Sequence, residues 1–373
     1  GVVATSAPLA ALAARVCVRA GLEVAPGYPV AAADLADAAR AAVVDGAADA
    51  VLVVVPPPDG PTDAPVAPSS GGARSPFEAA SWLAAGPVEA DKPVVAVLLG
   101  QDPPAGGAVP AYRTVEEAAR ALSRVAAYAA WRREPAGEIV PLSDVDTAGG
   151  RAVADAGGPA WDLLGAHGVR VVGEVAAHTA EQAVAVAAAC GGPVALKATA
   201  PGLRHRLDLG AVRLDLADAA AVRRAYDEVS RAFGPHVVVQ PMTAPGVACT
   251  VEVVDDPAFG PIVGFGLGGE ATDLLGDRAW RAAPLTDTDA AQLVRAPRAA
   301  PLLLGHRGAD PVDIDALVEL LLRVGRLADE QAGVRRLLLN PVLAQATGCT
   351  VLHAEVSYGP PAFRPDTGPR RLP

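Results

Sequence analysis

The segment Gly192-Pro-Val-Ala-Leu-Lys-Ala-Thr-Ala-Pro-Gly-Leu-Arg-His-Arg-Leu-Asp-Leu-Gly210 decides how the second half of this sequence is interpreted. Its apolar residues predict a buried strand that ends near Lys197. The loop after the strand carries His205, Arg206 and Asp208. An ammonium beside such a loop can hold a polyphosphate. From spacing alone, a solvated charged loop fits equally well.

Outward from this strand, the second half of the chain mixes helices with consecutive strands. Consecutive strands are typical of an α+β domain with antiparallel sheet. The predicted helices are Ala160–Gly168, Thr179–Cys190, Asp218–Phe233 and Asp310–Gly333. The predicted strands are 169–172, 194–199, 211–216, 236–241, 247–254, 262–266, 335–342 and 350–358.

The first half instead alternates single strands with helices, which predicts a parallel sheet with helices on its faces. Strands are expected at 1–4, 50–55 and 93–99, and helices at 9–20, 32–44, 77–85 and 114–133. Residues 56–76 are rich in Pro and Gly, and we expect a mobile insertion there. Residues 135–154 have the composition of a linker, so the two halves are predicted to be separate domains.

Composition limits the function classes. The 373 residues are 51% hydrophobic, enough for two domains with cores. The net charge of −11 and the lack of a Lys/Arg cluster argue against nucleic acid or an anionic membrane as a partner. Four widely spaced cysteines are typical of reduced thiols, which predicts a cytoplasmic protein. Because the chain starts at Gly1, we expect it to be a piece of a longer polypeptide.

Two rare residue types mark candidate sites. Lys92 and Lys197 are the only lysines, and Asn340 is the only asparagine. The amide oxygen of Asn340 could join the shell of a hard cation, or Asn340-Pro341 could close a strand as a turn. The glycine-rich stretch Gly264–Gly269 is a weak signal, and without a predicted helix after it we reject a dinucleotide fingerprint. Asp255-Asp256-Pro257 predicts a hairpin turn.

Several motifs taken together resemble a known family. They are Lys197, His205 to Gly210, Val238-Val-Gln-Pro-Met242, Asp256-Pro-Ala-Phe-Gly-Pro261, Gly266-Leu-Gly-Gly269, Asp277 with Pro284-Leu285, and Asn340-Pro-Val342. Their order and spacing resemble the ATP-grasp domain of NDP-forming acyl-CoA synthetases. The fold class implied is a flavodoxin-like, succinyl-CoA-ligase-like parallel-sheet subdomain at 1–134, followed by an α+β ATP-grasp domain at 155–360 and a tail at 361–373.

The resemblance also implies a reaction and residue roles. The family makes an acyl-CoA from a small carboxylate, CoA and ATP through a phosphohistidine and an acyl phosphate. Lys197 would hold the nucleotide phosphates, Gln240 and Met242 would line the adenine pocket, and His205 would receive the phosphoryl group. Asp208 is the second implied catalytic residue. Further implied nucleotide-binding residues are Arg206, Gly210, Gly268 and Gly269, and the implied Mg²⁺ ligands are Asn340 and Asp277.

Departures from the family pattern leave two function classes open. Leu207 replaces the loop serine, Ala248 and Leu338 replace acids, and His353 replaces an aspartate. Mg²⁺ sites in phosphoryl transfer depend on carboxylates, so these changes degrade the implied site. One class is an enzyme that works with the missing N-terminal CoA-binding and phosphohistidine domains. The other is a degenerate module that senses nucleotide or acyl-CoA and regulates a fused GNAT acetyltransferase, an arrangement known for this family in actinobacteria.

Overall fold

The computed structural model describes residues 1–25, 28–29, 35–44, 47–57, 92–103, 108–199 and 209–360. The chain divides into two compact units, Gly1–Pro135 and Ala136–Pro373. Nearly all of the predicted insertion 56–76, the predicted helix 77–85 and the tail 361–373 lie outside the described residues. Within those residues, no helix combines the length and apolar character needed to cross a membrane.

Unit 1 is built around a five-stranded parallel sheet. The strands are β1 (Val2–Ala4), β2 (Tyr28–Pro29), β3 (Val51–Val55), β4 (Val94–Leu98) and β5 (Ala111–Tyr112), in the order β2-β1-β3-β4-β5. This order is that of flavodoxin-like doubly wound sheets. The pairing confirms the predicted parallel sheet.

The central strands of unit 1 are buried along their whole length because helices cover both faces of the sheet. Helices α1 (Ala7–Arg19) and α3 (Val115–Arg133) pack on one face, and α2 (Leu35–Val44) packs on the other. The side chains of Ser6 and Thr114 accept hydrogen bonds from the first turns of α1 and α3. These caps account for where the two helices begin.

Unit 2 contains two antiparallel sheets. The small sheet has the order β6-β9-β7-β8 and carries α6 (Ala180–Cys190) and α7 (Ala219–Phe233) on one face. Its strands are β6 (Val175–Ala177), β7 (Val194–Ala198), β8 (Val212–Leu216) and β9 (Val237–Pro241). The hairpin turn predicted at Asp255-Asp256-Pro257 is also present, in the other sheet of unit 2: the carboxylate of Asp256 accepts hydrogen bonds from the backbone of Ala258 and Phe259.

The large sheet of unit 2 has the order β12-β11-β10-β13-β14, with β15 also paired to β13. Its strands are β10 (Val247–Asp256), β11 (Gly260–Leu267), β12 (Arg278–Ala282), β13 (Val334–Ala344), β14 (Cys349–Val351) and β15 (Ala354–Tyr358). One face packs on α9 (Asp287–Arg295) and α10 (Ile314–Glu330), and its core includes Phe265, Leu337 and Leu339. Successive side chains of a strand point to opposite faces of the sheet. The residues between the core-facing ones therefore have their side chains on the other face.

The structure differs from the sequence prediction in the linker. Residues 147–155 form helix α4, which begins after Asp146, whose carboxylate caps Gly149. The sequence did not predict this helix because it contains two glycines, and glycine disfavours helix interiors. Gly150 is required there by packing: a Cβ on it would lie 2.6 Å from Cε1 of the buried His167. Helix α5 (Ala160–Ala166) follows α4.

Other differences concern short elements. The predicted strand 169–172 is reduced to one bridge between Val171 and Val351. Strands β6 and β12 and helix α9 were not predicted, because β6 is three residues long and β12 is rich in arginine. A six-residue helix, α8 (Glu270–Leu275), follows the glycine-rich stretch where the sequence predicted none.

Leu321→Ala should destabilise the protein by about 2–5 kcal/mol, because it leaves a cavity in the core under the large sheet. Leu321 on α10 is fully buried, whereas Leu302 is 47% exposed. Urea unfolding of unit 2 measures the effect, with Leu302→Ala as the control at about 0.5 kcal/mol or less. Equal losses for both variants would contradict the assigned core.

Candidate functional site

Lys197 lies on β7 with its side chain on the face of the small sheet opposite α6 and α7. Leu196 and Ala198 point into the helix-covered core, so alternation places Lys197 on the other face. Lys197 is only 8% exposed, and its Nζ donates to Oε1 of Gln240 at 2.5 Å. A buried ammonium needs such hydrogen-bond acceptors to offset its lost hydration.

Gln240 connects the small sheet to the strand end that leads into β15. Its Nε2 donates to the carbonyl oxygens of Val172 at 3.0 Å and Leu352 at 2.8 Å. Its side chain is 2% exposed, and the three contacts use both ends of the amide. The amide therefore fixes Lys197 relative to the large sheet.

Asn340 on β13 lies next to this contact. Its backbone N–H donates to the carbonyl of His353 at 3.1 Å, and the N–H of Leu352 donates to the carbonyl of Pro341 at 3.0 Å. Gln240 contacts Leu352, and Asn340 is hydrogen-bonded to His353, the next residue in the chain. The structure brings together three residues predicted from the sequence: Lys197, Gln240 and Asn340.

His353, which the resemblance aligns with an aspartate of the family, lies between two carboxylates. Its Nδ1 is 4.0 Å from Oε1 of Glu174, and its Nε2 is 3.1 Å from Oε1 of Glu355. The side chain of His353 is 9% exposed. Since the two ring nitrogens point in different directions, these carboxylates lie on different edges of the ring.

A charged network that the sequence did not predict covers the polar face of the large sheet. Glu252 is 7% exposed, and its Oε2 accepts from Nη1 of Arg278 at 2.7 Å. Its Oε1 accepts from Nε of Arg336 at 2.7 Å. The register pairs Glu252 with Leu338 on β13. Arg336, Leu338 and Asn340 are every second residue of β13, so their side chains lie on this same face of the sheet.

A buried hydroxyl shares this face. Thr250 is 2% exposed, and its Oγ1 has no hydrogen-bond partner among the described residues. Buried polar atoms are nearly always paired. In the sequence of β10, Thr250 and Glu252 alternate with valines, and this pattern could have marked both as polar residues of a buried strand. Which residues they would contact depends on the register of neighbouring strands, which cannot be inferred from this pattern.

The other predicted site residues have varied surroundings. Met242 donates its backbone N–H to the carbonyl of Pro193 at 2.9 Å, and Gly268 donates to Ala248 at 2.7 Å. Gly210 and Gly269 have positive φ angles of 72° and 122°, which favour glycine. His205, Arg206 and Asp208 lie outside the described residues. All of these roles stay predictions.

Asp277 has a structural contact that counts against its predicted metal role. Its Oδ1 accepts from the backbone N–H of Arg298 and its Oδ2 from that of Ala299, both at 2.8 Å. These bonds hold the turn that leads into a short 3₁₀ helix at Ala300–Leu302. As a Mg²⁺ ligand Asp277 stays a prediction.

Positions 248, 338 and 353, where the resemblance implies acids, carry no carboxylate for the implied Mg²⁺, and the described carboxylates of Glu174 and Glu355 lie on either side of His353 instead. Ala248 and Leu338 have no ligand oxygen on their side chains, and the Glu252 carboxylate is held by two arginines. No group of three histidine, cysteine, aspartate or glutamate side chains in the described part of the chain could hold a metal ion. Mg²⁺ normally requires one or two carboxylates in near-octahedral geometry.

The cysteines of unit 2 near the large sheet are not suited to nucleophilic chemistry. Burial raises the pKa of Cys249 to about 12 and that of Cys349 to about 11. The thiolate is the reactive form of cysteine. Both side chains therefore stay protonated near neutral pH.

Comparison with known proteins identifies the family. The sequence model described as "ATP-grasp domain" matches residues 155–357, more than half of the chain. The chain belongs to the ATP-grasp family. The antiparallel sheets of unit 2 match the ATP-grasp fold, which confirms the predicted fold class.

Within the ATP-grasp family, the chain is homologous to ADP-forming acetyl-CoA synthetases. It is 33% identical over 208 residues to the β subunit of acetate–CoA ligase (ADP-forming) II from Pyrococcus furiosus, covering 53% of this chain and 88% of that subunit. It is 34% identical over 234 residues to acetate–CoA ligase (ADP-forming) I from Archaeoglobus fulgidus, covering 61% of this chain. It spans only 33% of that longer ligase.

A solved ATP-grasp structure is also similar to this chain. The dinucleotide-forming acetyl-coenzyme A synthetase 1 of Ca. Korarchaeum cryptofilum was solved in complex with coenzyme A, Ca-AMPCP and HgCl⁺. It aligns with a TM-score of 0.50 and 33% identity, covering 56% of this chain and 97% of the other.

Gln240→Ala should lower the free energy of unfolding by about 1–3 kcal/mol, because it leaves the carbonyls of Val172 and Leu352 without their amide donor. Chemical denaturation measures the loss. Gln182→Ala is the control, since its side chain makes an exposed bond to the backbone of His178. If the control lost as much stability as Gln240→Ala, the connecting role of Gln240 would be refuted.

Proposed function

We propose that this chain binds ATP or ADP in its ATP-grasp unit, as the nucleotide-using part of an ADP-forming acyl-CoA synthetase. The observation that carries the proposal is the buried contact between Lys197 and Gln240 next to Asn340. It supports a site in which an ammonium is oriented before the ligand arrives. Homology to ADP-forming acetyl-CoA synthetases and the nucleotide analogue bound by the Korarchaeum enzyme support the same ligand class.

In this proposal the residues of the chain have separate tasks. Lys197 contacts the nucleotide phosphates, and Gln240 orients its ammonium through the amide oxygen. Met242 follows β9 and lines the adenine pocket, while the glycines at 268 and 269 let the backbone approach the ligand. His205 accepts the γ-phosphoryl group: the bond from γ-phosphorus to the bridging oxygen breaks, the nitrogen–phosphorus bond forms, and ADP leaves.

The complete reaction would need partners. The proposed synthetase consists of this chain with a CoA-binding domain and a phosphohistidine domain, as separate or fused parts, and activates a small carboxylate. Mg²⁺, if a carboxylate outside the described residues completed its site, would bind beside Asn340 and stabilise charge on the phosphates.

A second candidate function is favoured by the side chains around Asn340. With Leu338, Ala248 and His353 in place of acids, the chain would sense nucleotide or acyl-CoA and regulate a fused GNAT acetyltransferase without transferring phosphate. The two candidate functions differ in whether phosphorylated protein is formed. After incubation with radiolabelled ATP and a phosphohistidine domain, we expect labelled protein if the chain is an enzyme and no labelled protein if it is a sensor.

Lys197→Ala should weaken ATP binding by about ten-fold or more, the effect of losing one charge-assisted contact. Isothermal titration of the full chain measures the Kd. Lys92→Ala is the matched control, because Lys92 is the only other lysine and belongs to unit 1. Equal affinity of the wild type and Lys197→Ala would refute the proposed site.

A further inference from the structure

Two histidines meet at one end of the small sheet. His178 follows the last residue of β6, and His236 directly precedes β9. The two strands are antiparallel with Ala177 opposite Val237, so the next residues outward, His178 and His236, face each other. Their Nδ1 atoms are 2.9 Å apart. The ring centroids are 4.9 Å apart, and the ring planes are inclined at 80°.

The contact between the rings uses the nitrogens that could also bind a metal ion. A neutral imidazole has one N–H group and one bare nitrogen, so one Nδ1 donates here and the other accepts. Both histidines are exposed, so each Nε2 can bond to water. When the donor ring carries its proton on Nε2 instead, both Nδ1 atoms present a lone pair and no proton is released. Neutral imidazole is the commonest metal ligand in proteins.

The backbone holds the two histidines in place. The carbonyl oxygen of His178 accepts from the hydroxyl of Tyr226 on α7 at 2.5 Å, and this hydroxyl is also 3.1 Å from the carbonyl oxygen of Pro235. The carbonyl oxygen of His236 accepts from the backbone N–H of Thr199 at 3.1 Å and from its hydroxyl at 3.0 Å. Because both chain segments are fixed, binding of an ion would order only the two side chains.

We propose that His178 and His236 form a binding site for a divalent transition-metal ion, with Cu²⁺ preferred over Ni²⁺ and Zn²⁺. The two Nδ1 atoms are the protein ligands, and water occupies the remaining coordination positions. The site uses none of the residues assigned to the nucleotide, so it does not depend on the proposed function.

The distance between the nitrogens carries the choice of metal. With metal–nitrogen bonds of about 2.0–2.1 Å, nitrogens 2.9 Å apart subtend an angle of about 90° at the ion. A tetrahedral ion with the same bond lengths would need a separation of about 3.3 Å. An angle near 90° is that of neighbouring ligands in the tetragonal complexes that Cu²⁺ and Ni²⁺ form with nitrogen donors. Of the two, Cu²⁺ binds a given site more tightly.

A bound ion should stabilise the small sheet. β6 is a three-residue strand at the edge of this sheet, and the ion would link its end to β9. The two histidines are 58 residues apart in sequence, so the unfolded chain does not bring them together. Because the ion binds the folded state, a hundred-fold excess over Kd should raise the Tm of unit 2 by about 5–10 °C.

The test is titration of the full chain with Cu²⁺ in a non-coordinating buffer, with electron paramagnetic resonance of the complex. We expect one strong site, a resonance spectrum split by two imidazole nitrogens, and weaker binding of Ni²⁺ and Zn²⁺. His178→Ala and His236→Ala should each weaken Cu²⁺ binding by about ten-fold or more, because one imidazole remains. His306→Ala is the control and should change nothing, since it removes an exposed histidine of a short 3₁₀ helix in the same unit.

Four results would overturn the inference. Equal Cu²⁺ affinity of the wild type and both single variants would show adventitious binding only. A resonance spectrum with one imidazole nitrogen or none would remove the pair from the site, and tighter binding of Zn²⁺ than of Cu²⁺ would refute the assigned metal. Absence of binding would refute the site itself. Circular dichroism checks the folding of each variant, and the spectrum of the wild type decides alone if a variant fails to fold.

Discussion

The candidate site depends on one buried amide. The Gln240 side chain places its oxygen against the ammonium of Lys197 and its NH₂ group against two backbone carbonyls from other parts of unit 2. An amide can serve as acceptor and donor at once, which a carboxylate or an ammonium cannot. The amide oxygen carries no formal charge, so this contact orients Lys197 without neutralising it. The hydrogen bond therefore fixes the position of the ammonium on this face of the small sheet.

Much of this arrangement could be predicted from local sequence. The apolar run before Lys197 indicated a buried strand, and the scarcity of lysine and asparagine singled out Lys197 and Asn340. In unit 1, the alternation of valine-rich strands with capped helices predicted the parallel sheet. These features succeed because each is a property of a single segment, where burial and side-chain alternation are read directly from the residues.

The Glu252 network could not be predicted in the same way. Arg278 is 26 residues from Glu252 in sequence and Arg336 is 84 residues away. They meet only because β12, β11, β10 and β13 are neighbouring strands of one sheet. The register between strands that are far apart in sequence depends on tertiary structure. Helix α4 was missed for a related reason: its glycine is favourable only because the distant His167 fills the space where a side chain would lie.

Leu338 and the arginine network around Glu252 are consistent with each other. Leu338 lies opposite Glu252 in the register, so an aspartate at 338 would place two carboxylates on directly paired positions. Like charges directly opposite each other destabilise a sheet unless a cation lies between them. With a metal ion such a pair is stable. Without one, an aliphatic residue at 338 and arginines around Glu252 balance the charge of the same face. The sheet therefore pairs an aliphatic residue at position 338 with a carboxylate whose hydrogen-bond donors are arginines of the same sheet.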